Sequence, residues 1–345
     1  MSASSQNPNR REFLQAGAAG IAAVGIAGAA YADDQKNEGG IPLRPLGKTG
    51  ERVSLIGLGG WSASNPAVLD ESHSVRLIQR AVHEGITFLD NAWDYHDGLA
   101  EERMGKALAE GKLRDKVFLM TKCCGRTAKE AQAGLEDSLR RLKTDHLDLW
   151  QFHEINYDND PEWIFAEDGA IQIGLKALKE GKIRYLGFTS HKDPSIHLAM
   201  MDKPFDWAAS QMPLNVMDAS YRSFQKEVLP VMLRKGIGCI AMKSLGGNGS
   251  IVTKAGVSID QALGYVFSLP ISTLVSGIDS EKVLDQNLKI VRNYKPMDEA
   301  ERHALEHKHR MHAGDGRFEL FKSTVEFDGP HHRKQHGFDV GAVSA

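Results

Sequence analysis

After residue 50 one unit recurs along the chain: an amphipathic helix, a glycine that stops it, and a short apolar strand. Val75, Ile78, Ala81 and Val82 lie on one helical face, and Gly85 ends that helix before an apolar run to Asp90. Thr127 to Glu130 has the spacing of a capping box, opening a helix with Leu135, Leu139 and Leu142 on one side. Gly181 and Gly236 punctuate two further helices. Strands are expected near 53–57, 86–90, 117–121, 147–152, 183–188, 207–211, 237–242 and 271–276. Strands alternating with helices imply parallel pairing with right-handed crossovers, and eight such units in one domain favour a closed barrel. The expected α/β fold is a (β/α)8 TIM barrel with an N-terminal β-hairpin, a C-terminal extra helix and a tail. An open doubly wound sheet is the alternative. Its dinucleotide fingerprint is missing, because Gly57-Leu58-Gly59-Gly60-Trp61 lacks the third glycine and no helix clearly follows.

The N-terminus reads as an address. Arg10-Arg11-Glu12-Phe13-Leu14 precedes an uncharged, alanine- and glycine-rich run from Gln15 to Ala30, then Ala30-Tyr31-Ala32 and a polar stretch. Basic region, apolar region and small-x-small site occur in the order of an export signal. The paired arginines resemble a twin-arginine signal, whose partner is the export machinery for folded proteins. The apolar run is shorter than the roughly 20 residues of a spanning helix, so no stable membrane span is expected. The expected organisation is a signal over 1–32, a linker over 33–42, the barrel over 43–314 and a tail over 315–345. Export by this route places the protein in a bacterial periplasm.

Composition removes several functions. With 345 residues and a net charge of -3, the chain offers no electrostatic reason to bind nucleic acid or an anionic membrane. Three cysteines, Cys123, Cys124 and Cys239, make neither a disulfide framework nor a four-thiolate metal site. Cys123 and Cys124 follow Lys122 and read as buried thiols close to the barrel mouth. Half of the 14 histidines lie beyond residue 300, but their spacing matches no familiar metal site. They read as a solvated tail, and no metal is expected.

In a barrel, residues at the carboxyl ends of different strands share one mouth. Those ends carry Asp90, with Tyr95 just beyond it, then Lys122, then His153. A carboxylate, a phenol, an ammonium and an imidazole from three successive strands suit proton transfer. This constellation resembles the catalytic tetrad of the aldo-keto reductases. Gly85-Ile-Thr-Phe-Leu-Asp-Asn-Ala92 stands at its start and Leu147-Asp-Leu-Trp-Gln-Phe-His153 at its end. The likeness runs from about Leu43 to Asn293 and includes Leu178 to Ser190, Gln211 to Asn215, and Ser280 to Asn287.

The resemblance implies reversible hydride transfer between a nicotinamide and a small carbonyl or alcohol substrate. Tyr95 would be the general acid. Lys122 would lower its pKa, Asp90 would anchor Lys122, and His153 would orient the carbonyl oxygen. Cofactor contacts would come from Gly59, Gly60, Trp61, Asn91, Thr189, Ser190, Gln211, Met242, Leu245, Gly246, Gln286 and Asn287. Trp61, Trp93 and Glu154 would line the substrate pocket, with Trp163 a further wall candidate. Three departures stand out. Met242 occupies the place of a stacking tyrosine, and Glu154 that of a bulky aromatic. Gly277 and Val283 replace the basic pair that grips a 2′-phosphate. NADP(H) is expected from the family, with Lys282 or Arg184 as substitute grips, and NAD(H) is the alternative.

Overall fold

The computed structural model describes residues 35–340. The signal at 1–32, the first two linker residues and the last five residues lie outside the described residues. A hairpin, β1 (Leu43–Pro45) and β2 (Arg52–Ser54), precedes eight parallel strands. These are β3 (Ile56–Gly59), β4 (Phe88–Asp90), β5 (Phe118–Cys123), β6 (Leu147–Phe152), β7 (Ile183–Thr189), β8 (Ala209–Pro213), β9 (Gly238–Met242) and β10 (Thr273–Ser276). Each pairs with the next, and β10 closes on β3 through Leu274 opposite Ile56.

A helix follows each barrel strand. In order they are α1 (Glu71–His83), α2 (Leu99–Gly111), α3 (Ala128–Arg141) and α4 (Ile171–Glu180). Then come α5 (Pro194–Met201), α6 (Leu229–Lys235), α7 (Ile259–Phe267) and α8 (Glu281–Arg292). Local chemistry sets their ends. The Thr127–Glu130 capping box opens α3, while Gly181 and Gly236 take the left-handed conformation that ends α4 and α6. The expected face of α1 is buried, Val75, Ile78, Ala81 and Val82 joining the layer between strands and helices.

Inside the barrel, Phe88, Phe118, Met120, Leu149, Ala209 and Ile240 form a second core with Leu46 and Val53 of the hairpin. The hairpin therefore plugs the end at which the strands begin and leaves the other end for chemistry. Val53 belongs to this hairpin and not to the first barrel strand, which starts at Ile56. A four-residue helix, Gly60–Ala63, does follow Gly59. Among the described residues no helix is long and apolar enough to cross a membrane.

Beyond α9 (Glu299–Ala313) the chain departs from the expectation of a solvated tail. Residues 318–336, with α10 (Leu320–Ser323) and α11 (Pro330–Gln335), fold back across the mouth of the barrel. Phe321 and His332 are fully buried. Lys322 Nζ, equally buried, donates to Asp218 Oδ1 (2.7 Å), Glu319 Oε2 (2.9 Å) and the Tyr221 carbonyl (2.8 Å). Asp328 accepts from Lys192 Nζ (2.6 Å) and the Tyr157 hydroxyl (2.6 Å), and lies 3.0 Å from His191 Nε2. The polar sequence of this segment disguised a packed element whose charges are spent on buried partners.

Candidate active site

The four strand-end residues meet as expected. Asp90 ends β4, Lys122 is the next-to-last residue of β5, His153 follows β6, and Tyr95 opens the short helical turn Tyr95–Gly98. Lys122 Nζ is paired with Asp90 Oδ1 and donates to the Asn91 carbonyl (2.7 Å) and to Tyr95 Oη (3.3 Å). Gln211 Nε2 donates to the other Asp90 oxygen, Oδ2, at 3.0 Å. Lys122 is only 1% exposed, so both partners of the pair are removed from water and every ammonium hydrogen has an acceptor. The Tyr95 and His153 rings meet edge to face at 5.7 Å.

One electrostatic expectation is overturned. Tyr95 is pushed well above the ordinary phenol value, first by burial and then by the carboxylates of Asp90, Asp94 and Glu154. The Lys122 charge that was to acidify it is balanced by Asp90 in the same contact. The phenol thus stands protonated, the state in which a proton donor waits. His153 is held below its usual value by burial, against the pull of Asp94, whose Oδ1 lies 3.1 Å from Nδ1. Burial, and after it the charges of Asp328 and Asp94, push Glu154 well above the usual carboxylate value.

The remaining expected positions divide. Gly59, Gly60 and Trp61 follow β3. Trp61 is half exposed, stacked on His96 at 4.2 Å and edge-on to Tyr95 at 5.3 Å, so it flanks the phenol. Thr189 and Ser190 are buried at the end of β7, and Ser190 Oγ has no hydrogen-bond partner. An orphaned hydroxyl at a strand mouth suits a carboxamide, so these residues fit a nicotinamide. Met242 is half buried at the end of β9. Gln286 is exposed on α8, while Asn287 is buried and donates to Ser276 Oγ (2.8 Å).

Other positions are committed elsewhere. Asn91 is fully buried, its side chain donating to the Ala100 carbonyl (3.0 Å) and accepting from Ala92 N (2.9 Å). It fastens the start of α2 to the strand and does not face the mouth. Gln211 is spent on Asp90. Leu245 is half buried, and Gly246 (φ 83°) is pressed by the C-terminal segment: a Cβ there would stand 2.7 Å from the Phe318 carbonyl oxygen. Arg184 cannot grip a phosphate at the mouth. It lies at the opposite end of β7, paired with Glu51 and Asp148. Lys282, exposed in the first turn of α8, remains available.

Of the pocket candidates, Trp93 turns to α3, its indole N–H donating to Asp137 Oδ2 (3.3 Å), and packs against His331 at 5.5 Å. Trp163 stacks on His336 at 5.0 Å. Glu154 Oε2 accepts from Gly329 N (3.0 Å), so the C-terminal segment occupies the place expected for substrate.

Several residues of the mouth escaped the sequence reading. Arg126, buried after β5, donates through Nη2 to the His153 carbonyl (2.8 Å) and the Glu154 carbonyl (2.9 Å), and through Nε to Asp160 Oδ1 (2.8 Å). Asp94, next to Tyr95, lies against His153. His332 reaches the mouth from α11, its ring 5.1 Å from that of His153. Asp94 and Arg126 were within reach of a search two to four residues past each strand end. His332 was not, because no local pattern encodes a contact across about 180 residues.

A closed eight-stranded barrel thus carries a buried acid–lysine pair touching a phenol at its mouth. Residues 55–262 match the model of the aldo/keto reductase family, and the chain belongs to that family. Residues 1–31 match the model described as the ubiquitinol-cytochrome c reductase Fe-S subunit TAT signal, so the chain carries a twin-arginine-type signal. Aldo-keto reductase YhdN of Bacillus subtilis is 30% identical over 195 residues, 53% of this chain and 54% of that protein. L-galactose dehydrogenase of Arabidopsis thaliana is 27% identical over 219 residues, 59% of this chain and 66% of that protein. The chain thus spans between about half and two thirds of these relatives. Among solved structures, aldo-keto reductase AKR11C1 from Bacillus halodurans (holo form) superposes with a TM-score of 0.65 at 23% identity, covering 78% of this chain and 96% of that one. The thermostable aldo-keto reductase Tm1743, solved with the inhibitor epalrestat, gives 0.64 at 23% identity, covering 77% and 99%.

Proposed function

We propose that the protein is an NAD(P)H-dependent carbonyl reductase, acting reversibly on a small aldehyde or ketone and its alcohol. It is exported in folded form by the twin-arginine route to the bacterial periplasm. The observation that carries this reading is the triple engagement of Lys122 with Asp90, Asn91 and Tyr95. A bound nicotinamide supplies the hydride. Tyr95 donates its phenolic proton to the carbonyl oxygen. Lys122, 3.3 Å from that phenol, stabilises the phenolate left behind, and Asp90 with Gln211 keeps Lys122 in register. His153, neutral, hydrogen-bonds the same oxygen and orients it. Thr189 and Ser190 would hold the carboxamide, and Gly59, Gly60, Trp61 and Met242 would line the nicotinamide, Met242 through its soft thioether.

NADP(H) is the proposed cofactor, with Lys282 nearest the family's phosphate-gripping position; NAD(H) is the alternative. Replacing Tyr95 by Phe removes the proton donor and leaves nicotinamide binding intact. Consumption of NADPH over an aldehyde panel, together with nucleotide binding followed by fluorescence, tests this. Full turnover by Tyr95→Phe would refute the assignment. The covering of the mouth by residues 318–336 favours a second reading, a nicotinamide-binding regulatory or partner subunit with little turnover. Binding without turnover in the unaltered chain would support it.

A further inference from the structure

At the covered mouth, four side chains from four separate elements converge. Asp94 comes from the loop after β4, Cys124 follows β5, His153 follows β6, and His332 lies in α11. One ligand-type atom from each falls within 4.8 Å of all the others. His153 Nδ1 is 3.1 Å from Asp94 Oδ1 and 3.5 Å from Cys124 Sγ. Metal–ligand bonds of about 2.0–2.3 Å in a tetrahedron put donor atoms roughly 3.3–3.8 Å apart. Two of the pairs already stand near that spacing, and drawing in the rest needs side-chain shifts of about an ångström.

A second observation points to a ligand. His332 is fully buried and its Nε2 has no hydrogen-bond partner, 3.9 Å from Glu154 Oε2. Its Nδ1 lies 3.4 Å from Arg126 Nη2, but that nitrogen has two hydrogens and already places them on the His153 and Glu154 carbonyls at 2.8 and 2.9 Å. His332 Nε2 is therefore the unpartnered ring nitrogen, and Nδ1 holds only this long contact. Asp94 Oδ1 is also buried without a properly aligned partner. Leaving such groups unpaired costs about 1–3 kcal/mol each, and a shared cation would satisfy them together.

We propose that Asp94, Cys124, His153 and His332 form a binding site for one zinc-type divalent cation, which clips the C-terminal segment across the barrel mouth. The donor set of one thiolate, two imidazoles and one carboxylate suits Zn2+ and disfavours Mg2+ and Ca2+. Binding converts the Cys124 thiol to a thiolate–metal bond and releases its proton to solvent. One thiolate and one carboxylate then neutralise the cation, so the buried cluster carries no net charge. Because His332 alone of the four belongs to residues 318–336, the metal would add one more tie to the buried bonds of Lys322 and Asp328 that hold this segment across the mouth. Coordination through His153 Nδ1 leaves its other ring nitrogen for substrate. The site does not depend on the reductase reading.

The test uses the full chain without a polyhistidine tag, stripped with chelator and titrated with Zn2+ and separately with Co2+. One equivalent of either metal is expected to bind, with tetrahedral d–d bands and a thiolate-to-cobalt charge-transfer band for Co2+. Cys124→Ser abolishes the charge-transfer band, and His332→Ala weakens binding by at least about 100-fold, since loss of an outer-shell partner alone costs 10–100-fold. His312→Ala, an exposed histidine of α9 outside the cluster, binds as the unaltered chain does. Zinc also protects residues 318–336 from protease in the unaltered chain and not in His332→Ala. No stoichiometric binding by the unaltered chain would overturn the proposal, as would binding that survives both Cys124→Ser and His332→Ala unchanged.

Discussion

Replacing Asp90 by Asn removes the counter-charge of a lysine that is 1% exposed and keeps nearly the same side-chain volume. Lys122 retains its bonds to the Asn91 carbonyl and to Tyr95 Oη, but both acceptors are neutral. Breaking a buried ion pair by removing one partner typically costs 3–5 kcal/mol. The expected destabilisation is about 3–5 kcal/mol, read from urea unfolding by linear extrapolation. Lys122→Met combined with Asp90→Asn removes the orphaned charge and should recover at least half of that loss, a coupling visible in the double-mutant cycle. If Asp90→Asn lies within 1 kcal/mol of the unaltered chain, or the double variant is as unstable as the sum of the singles, the pair does not hold the mouth together as described.

Two further outcomes follow from residues away from the tetrad. His197 is buried beneath β7 and β8, with Nε2 2.7 Å from Ser210 Oγ, and burial pushes its pKa down to about 3. The unfolded chain therefore takes up this proton first as pH falls. His197 should contribute its full stability above about 6.5 and lose roughly 1.4 kcal/mol per unit between there and 3, a slope that His197→Gln removes in pH-dependent urea unfolding. Gly246→Ala forces a side chain into the left-handed region (φ 83°) and against the Phe318 carbonyl oxygen. A loss of roughly 1–2 kcal/mol is expected from backbone strain alone. It should appear as faster hydrogen exchange in residues 318–336; unchanged exchange would mean that Gly246 does not fix the segment.

The barrel was legible because its signals are local. Glycine C-caps, the Thr127–Glu130 box and apolar strands lie within one unit each, so all eight barrel strands fell within three residues of their expected starts. The exceptions have the same cause. Val53 and Ile56 sit in one apolar run, and nothing in the run marks the change from hairpin to barrel. Asp90, Lys122 and His153 were legible because a strand end is a fixed address in a barrel. What hid was set by contacts distant in sequence. The environment of Tyr95 depends on its burial and on the charges of Asp90, Asp94 and Glu154, two of them outside the tetrad. The cover over the mouth is written in histidines, acids and lysines whose burial becomes visible only with their partners, such as Lys322 with Asp218.

The most direct test of the reductase proposal is to mix the protein with NADPH carrying deuterium at the transferable C4 position and an aldehyde panel. The alcohol products are then weighed by mass spectrometry. The unaltered chain should place one deuterium on the carbinol carbon of at least one product, and Tyr95→Phe should place none while still binding the nucleotide. Label-free products throughout, or undiminished transfer by Tyr95→Phe, would contradict the account.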